Sequence, residues 1–264
     1  MKYFVICVCI CAPWLVWGET IRTYTTDLEL DRNGSLSVRE TIVFYSTSES
    51  EMIFNRHIPI RFQDQGNELG RQKIQIVNPT ATWNRSNQLI TVSEDERSVD
   101  LIIGDPLQEL SAGKQEIVIS YTVLGALRHG TQNSQIVWEA VSGQEYDEIQ
   151  QFAASINTPI EYPIDQASCY WETLFNTHKC SIDSRIEGKS IAYFAHTNVD
   201  HNHGVTITVD FERGLQGEVF LARFTTAEWA LIVLGIITVI VGLIVLVFVV
   251  RRKTAKTRKQ NRNN

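Results

Sequence analysis

Between Trp229 and Val250 the chain runs for 22 residues without a charge or a proline. As an α-helix rising about 1.5 Å per residue, this run is ~33 Å long, enough to cross the ~30 Å hydrocarbon layer of a bilayer. Trp229 stands at one end, where an amphipathic ring favours the membrane interface. Beyond Val250 come Arg251, Arg252, Lys253, Lys256, Arg258, Lys259 and Arg262, with no acid among them. Such an excess of basic side chains puts the tail on the cytoplasmic side. The spacing predicts a transmembrane helix over 227–250 and a cytoplasmic tail over 251–264, with everything before them outside. The tail could touch anionic headgroups, but stopping transfer and fixing orientation already account for its charge. Gly235 and Gly242 share a helix face, at a wider spacing than the GxxxG pair that brings helices together.

The other end agrees. Lys2 precedes an apolar run from Phe4 to Trp17, and Gly18 precedes Glu19. A charged start, a short apolar core and a small residue at the cut describe a secretory signal peptide, here residues 1–18. Pro13 and the shortness of the run argue against a membrane-spanning anchor. Cys11 does not read as a lipidation site, because Val8-Cys9-Ile10 lacks the small residue expected just before one.

Removing both ends exposes a charge asymmetry. Residues 19–228 hold 16 Lys and Arg against 30 Asp and Glu, a net of −14. A domain so acidic is repelled by nucleic acid and by anionic membrane surfaces, and no nucleic-acid partner is expected. Cys7, Cys9 and Cys11 leave with the signal peptide, so Cys169 and Cys180 remain outside. An even number in an oxidising compartment suggests a disulfide that stabilises by roughly 2–3 kcal/mol; buried free thiols or metal ligands are the alternatives. Asn33-Gly34-Ser35 and Asn84-Arg85-Ser86 are glycosylation sequons, which makes Asn33 and Asn84 candidate glycan sites.

Strand patterns fill the segment from 19 to 226. In Ser35 to Tyr45, alternation puts Leu36, Val38, Ile42 and Phe44 on one face. Asp31-Arg32-Asn33-Gly34 joins this run to an earlier strand over Tyr24 to Leu30, and Asn-Gly is a strong hairpin signal. Further strands are expected over 73–77, 88–93, 99–103, 115–123, 135–141, 190–196 and 204–211, with turns at Asn78-Pro79 and Gly104-Asp105-Pro106 among others. Gln144 to Ala154 reads as ambiguous, compatible with a helical turn. Pro159 to Gly188 reads as an elaboration carrying the cysteine pair. The expected fold class is mainly β, an antiparallel β-sandwich ectodomain plus one transmembrane helix.

With those strands placed, the chain resembles the YciQ-like family of predicted membrane proteins (domain of unknown function 2207) over roughly Ile21 to Pro163. The hairpin from Asp31 to Glu40 matches the family's "dGsl.V.E" pattern, and Arg56-His57-Ile58-Pro59 is similar to its "R.Ip" stretch. Tyr121 to Leu127 resembles "Y.v.gal", and Ile136-Val137-Trp138-Glu139 resembles "l.Wn". The resemblance implies an extracytoplasmic β domain and carries no established catalytic residues. Family members often continue into further membrane spans and a glycine-rich cytoplasmic end; here a short basic tail follows the helix, so no cytoplasmic activity is carried over.

Chemistry-bearing residues are sparse. His196, Asp200, His201 and His203 are candidates for metal ligands, since residues at i and i+2 on a strand point the same way. The same stretch, rich in Asn and Asp and followed by Gly204, reads equally as a polar turn. Arg56 and His57 read either as a surface pair or as a spot on a ligand-facing edge. Trp83, Trp138 and Trp171 could line a sugar-binding face, although Trp138 lies in an apolar strand and reads as core. HExxH, GxSxG and glycine-rich phosphate loops are absent from the sequence. The expectation is a non-enzymatic binding or interaction module at the cell envelope, needing no cofactor and meeting a protein partner there. A metal-dependent envelope hydrolase using the His196–His203 cluster is the alternative.

Overall fold

A computed structural model describes residues 20–46, 51–63, 71–129, 134–143, 148–172, 177–200 and 203–211. The expected signal peptide, transmembrane helix and basic tail lie outside the described residues, as does His201. Among the described residues no helix is long and apolar enough to cross a membrane.

The described chain is built of strands: β1 (Ile21–Leu30), β2 (Leu36–Ser46), β3 (Glu51–Pro59), β4 (Arg61–Gln63), β5 (Arg71–Lys73), β6 (Gln75–Trp83), β7 (Ser86–Gln88), β8 (Ile90–Glu94), β9 (Ser98–Glu109), β10 (Gly113–Leu124), β11 (Leu127–His129), β12 (Ser134–Val141), β13 (Glu148–Asn157), β14 (Ile164–Glu172), β15 (Thr177–Lys179), β16 (Ile182–Glu187), β17 (Ile191–Asp200) and β18 (Gly204–Phe211). Eight form one sheet in the order β16-β17-β13-β1-β2-β10-β6-β7. Five form a second, β11-β12-β18-β14-β15; β3-β9-β8 form a third, and β4 pairs with β5.

Alternation along the strands explains which side chains meet. On β1 and β2 the residues Tyr24, Leu28, Leu30, Leu36, Val38, Ile42 and Phe44 are buried, while Asp27, Glu29 and Arg39 between them face solvent. Ile58 of β3, Leu101 of β9, Trp138 of β12 and Ile207 of β18 join the same apolar cluster, so the sheets share one core. At the β1–β2 hairpin Gly34 has φ 84°, and Asp31 both donates to the Ser35 carbonyl at 2.8 Å and accepts from the Gly34 amide at 3.0 Å. In the Asn-Gly signal the glycine takes the left-handed position that side chains resist, and the Asn33 side-chain oxygen accepts from the Ser35 amide at 3.0 Å.

Several expectations change. The expected antiparallel arrangement holds for most pairs, but β1 and β13 run parallel, with Asp27 beside Ser155 and Leu28 beside Ile156. Asn78-Pro79 and Gly104-Asp105-Pro106 are not turns; they lie inside β6 and β9. Asn78-Pro79 falls in a register shift against β10 and Pro106 in one against β3, so these form bulges in continuing strands, while Gly104 and Asp105 stay paired with Ile53 and Met52. The expected helical turn over 144–154 is instead strand from Glu148 onward, 144–147 lying outside the described residues. Ile149 and Phe152 are both buried at a three-residue spacing that imitates a helix, whereas Ala154 and Ile156 return to a period of two. The stretch read as an elaboration supplies β14, which pairs with both β18 and β15. Cys169 on β14 lies at disulfide distance from Cys180, with Cα atoms 5.4 Å apart, and the Cys180 amide donates to the Cys169 carbonyl at 2.9 Å.

Gly104 lies opposite Ile53 of β3, two residues before the bulge in β9. Its φ is 107°, and a Cβ there would collide with the carbonyl oxygen of Met52 on the paired β3. Gly104→Ala should destabilise the fold by about 1–3 kcal/mol through backbone strain and separation of β3 from β9. Thermal melting of the full-length protein in detergent measures this; an unchanged melting temperature would show that the close approach of Gly104 to Met52 does not constrain the sheet.

Candidate functional site

Glu40 occupies an inward position of β2 among Val38 and Ile42, and Arg56 an inward position of β3 before Ile58; both side chains are fully buried. A lone charge there would be heavily disfavoured, so the two must meet. The Arg56 Nε lies 3.1 and 3.0 Å from the two Glu40 carboxylate oxygens, and Nη2 donates to Glu40 Oε1 at 3.0 Å. Arg56 also donates through Nη1 to the His57 carbonyl at 2.6 Å, and through Nη2 to the Glu139 and Ala140 carbonyls of β12 at 3.0 and 3.3 Å. From β10, the Tyr121 hydroxyl donates to Glu40 Oε1 at 2.8 Å. Burial, then the neighbouring Glu40 charge, pushes the Tyr121 hydroxyl well above its ordinary pKa, which keeps it a donor. One guanidinium thus joins strands of the eight-, three- and five-stranded sheets.

The network has a partly exposed rim. His57 Nδ1 lies 2.8 Å from Asp100 Oδ1, both side chains being 32% exposed. Burial raises the Glu139 carboxyl above its ordinary value, while Arg56 and His57 pull it back. The rim reaches solvent; the Glu40–Arg56 centre does not. Arg56 is therefore not the surface residue that its hydrophilic neighbourhood suggested. Glu40, Arg56, Tyr121 and Trp138-Glu139, which carried the family resemblance, all converge on or beside this network: the Tyr121 and Trp138 rings are 6.2 Å apart.

Of the histidine-rich stretch, His196, Asp200 and His203 are described and His201 is not. His196 lies in the middle of β17, Asp200 closes that strand, and the His203 amide donates to the Asp200 carbonyl at 3.1 Å in the link to β18. His196 and His203 both pack on Trp171 of β14, ring centres 5.4 and 5.1 Å away, and His178 stacks on the same indole at 4.6 Å. Three imidazoles thus pack on one tryptophan. Among the described residues no group of three or more His, Cys, Asp or Glu is placed to hold a metal. Nδ1 of His196 accepts from the Ser181 amide at 3.1 Å and lies 2.9 Å from the Ser181 hydroxyl. Burial lowers its pKa, and Asp200 opposes that shift.

The tryptophans do not form a common sugar-binding face: Trp83 and Trp138 are buried, and Trp171 is enclosed by imidazoles. Both sequon asparagines are exposed. The Asn33 oxygen accepts from the Ser35 amide, and Asn84 bonds Gln115 through Nδ2 and the Glu116 amide through Oδ1. The residues that sequence reading missed lie on the outer face of the eight-stranded sheet. There an open trough of about 450 Å³ is lined by Asp27, Arg39, Thr80, Ser120 and Ser155 among others. The outward phase of each strand contained them, but only the strand order brings them together.

Two outcomes follow. Arg56→Met strands the Glu40 carboxylate in the core and should cost about 3–5 kcal/mol, whereas Arg56→Met with Glu40→Leu should recover much of that loss. Denaturation midpoints decide it: a double variant no more stable than the Arg56 variant would mean that the two charges do not compensate each other. For His196 the folded pKa lies below the usual 6.5, so the unfolded chain takes up the proton first as pH falls. Stability should therefore drop below about pH 6.5, continuing through the folded pKa, as the Ser181 amide loses its acceptor. His196→Asn keeps an acceptor without titrating, and its melting temperature should fall less between pH 7.5 and 5.5.

Solved structures similar to this chain include an M1 zinc metallopeptidase from Deinococcus radiodurans, at 14% identity and TM-score 0.37, covering 72% of this chain and 42% of that one. Native leukotriene A4 hydrolase from Saccharomyces cerevisiae is 10% identical with TM-score 0.41, covering 73% and 29%. A putative protease from Parabacteroides distasonis is 9% identical with TM-score 0.38, covering 73% and 40%. The chain spans less than half the length of each. Among curated proteins, none matches this sequence. The family described as predicted membrane protein (DUF2207) N-terminal domain matches residues 20–212, extending past the resemblance read from the motifs to take in β14 through β18. That match covers well over half of the chain, and the protein belongs to this family of predicted membrane proteins.

Proposed function

We propose that the chain displays a β-sandwich binding or interaction module, residues 19–226, on the outer side of the cell envelope. One transmembrane helix over 227–250 holds it, with the C-terminus in the cytoplasm, and the module works without catalysis. The observation that carries the reading is the contrast between the two faces of the eight-stranded sheet. Its inner face commits Glu40, Arg56 and Tyr121 to one another and to backbone carbonyls, at hydrogen-bonding distances and away from solvent. Its outer face presents an open, polar trough. The first arrangement stabilises a fold; the second can hold a ligand. Family membership supports the membrane setting. The acidic excess of residues 19–228 points to a partner that is not itself strongly anionic.

Crosslinking in intact membranes, followed by purification, tests this by comparing the full-length chain with one lacking residues 19–226. Protein or sugar captured only with the full-length chain is expected. Identical captures from both, or a turnover activity of the full-length protein lost on substitution of its surface residues, would overturn the reading.

A further inference from the structure

The outer face of the eight-stranded sheet holds a row of side chains, one from each of six neighbouring strands, set by register. Tyr193 of β17 pairs with Ser155 of β13, Ser155 with Asp27 of β1, and Asp27 with Arg39 of β2. Arg39 pairs with Ser120 of β10, and Ser120 with Thr80 of β6. At a strand spacing of ~4.8 Å, six neighbouring strands carry this row over roughly 24 Å, perpendicular to the chain direction.

The chemistry along the row is specific. Tyr193 is 39% exposed, a large ring left open to solvent at one end. Ser155 donates to Asp27 Oδ1 at 2.8 Å, which leaves the second carboxylate oxygen for another donor. Arg39 is exposed and makes no hydrogen bond or ion pair with any described residue, so its five N–H groups are available. Ser120 and Thr80 are short, and their size leaves the trough open beside the guanidinium. A flat ring, a carboxylate, a guanidinium and hydroxyls in line are the groups that recognise a sugar chain: the ring stacks on a pyranose face, and the polar groups exchange hydrogen bonds with its hydroxyls.

Charge selects among sugars. Asp27 offsets Arg39, Glu29 also lines the trough, and the surrounding segment is strongly acidic. A polyanionic chain would be repelled.

We propose that this row binds an extended neutral glycan, with one ring stacked on Tyr193 and the following rings hydrogen-bonded to Asp27 and Arg39. The proposal rests on the binding-module reading and names its ligand class.

The test uses the full-length protein in a detergent without a sugar headgroup. The probes are cellohexaose, xylohexaose, mannohexaose and chitohexaose, with hexagalacturonate as the acidic comparison. At least one neutral hexasaccharide should bind and hexagalacturonate should not. Tyr193→Ala and Arg39→Ala should each weaken binding about tenfold or more while leaving the melting temperature unchanged, since both side chains are exposed. Binding by none of the neutral probes, binding by hexagalacturonate alone, or full affinity in both variants would overturn the proposal. An ectodomain-dependent crosslinked partner combined with no neutral-glycan binding would sink the glycan proposal and leave the binding-module reading standing.

Discussion

Three sheets meet at one guanidinium. Arg56 reaches from the three-stranded sheet to Glu40 in the eight-stranded sheet and to the backbone carbonyls of β12 in the five-stranded sheet. Apolar contacts are non-directional and would tolerate some sliding of one sheet over another. A buried charge is not so tolerant, because any displacement that breaks its hydrogen bonds leaves it unsolvated. Burying this pair carries a desolvation cost that well-packed hydrophobic residues would avoid. What it adds is direction: one placement of β3 against β2 and β12 satisfies every group. Tyr121, held as a neutral donor, fills a further carboxylate lone pair and fixes β10 in the same arrangement.

Much of this was visible along single strands. The period-two pattern of β2 was legible, and Glu40 stands in phase with Leu36, Val38, Ile42 and Phe44. An acid in an inward row signals a buried partner. Arg56 carries the matching signal, in phase with Ile58 and Ile60. Pairing the two anomalies would have located the network, but the hydrophilic stretch Asn55-Arg56-His57 read as surface. β3 went unrecognised for the same reason, its burial being confined to Arg56 and Ile58. At Asn78 and Gly104 the turn chemistry was read correctly and its consequence was not: a residue with positive φ can sit inside a strand, at a bulge for Asn78 and in register for Gly104, as well as end it.

The histidines show what sequence proximity omits. His196 and His203 are close in the chain but belong to stretches joining different sheets, and what they share is the face and edge of Trp171. His178, far from them in sequence, completes the packing. A neutral imidazole stacks on an indole without the cost of a buried charge, consistent with the lowered pKa of His196. Its Nδ1 accepts from Ser181, the residue after Cys180, so the imidazole packing and the cysteine pair brace the same corner of the molecule.

The two faces of the eight-stranded sheet are linked by the geometry of a strand. Glu40 points inward and its neighbour Arg39 outward; Tyr121 points inward and its neighbour Ser120 outward. A slip of one residue in register would exchange these roles, burying Arg39 and exposing Glu40. By tying β2 to β10 through Glu40 and Tyr121, the buried network therefore also holds Arg39 opposite Ser120 on the outside. The outer row is aligned by the same strand register as the core beneath it, although its own members face solvent. Such a surface can change its ligand by exchanging outward residues while the inward ones preserve the alignment, which is how one buried scaffold can carry different binding specificities.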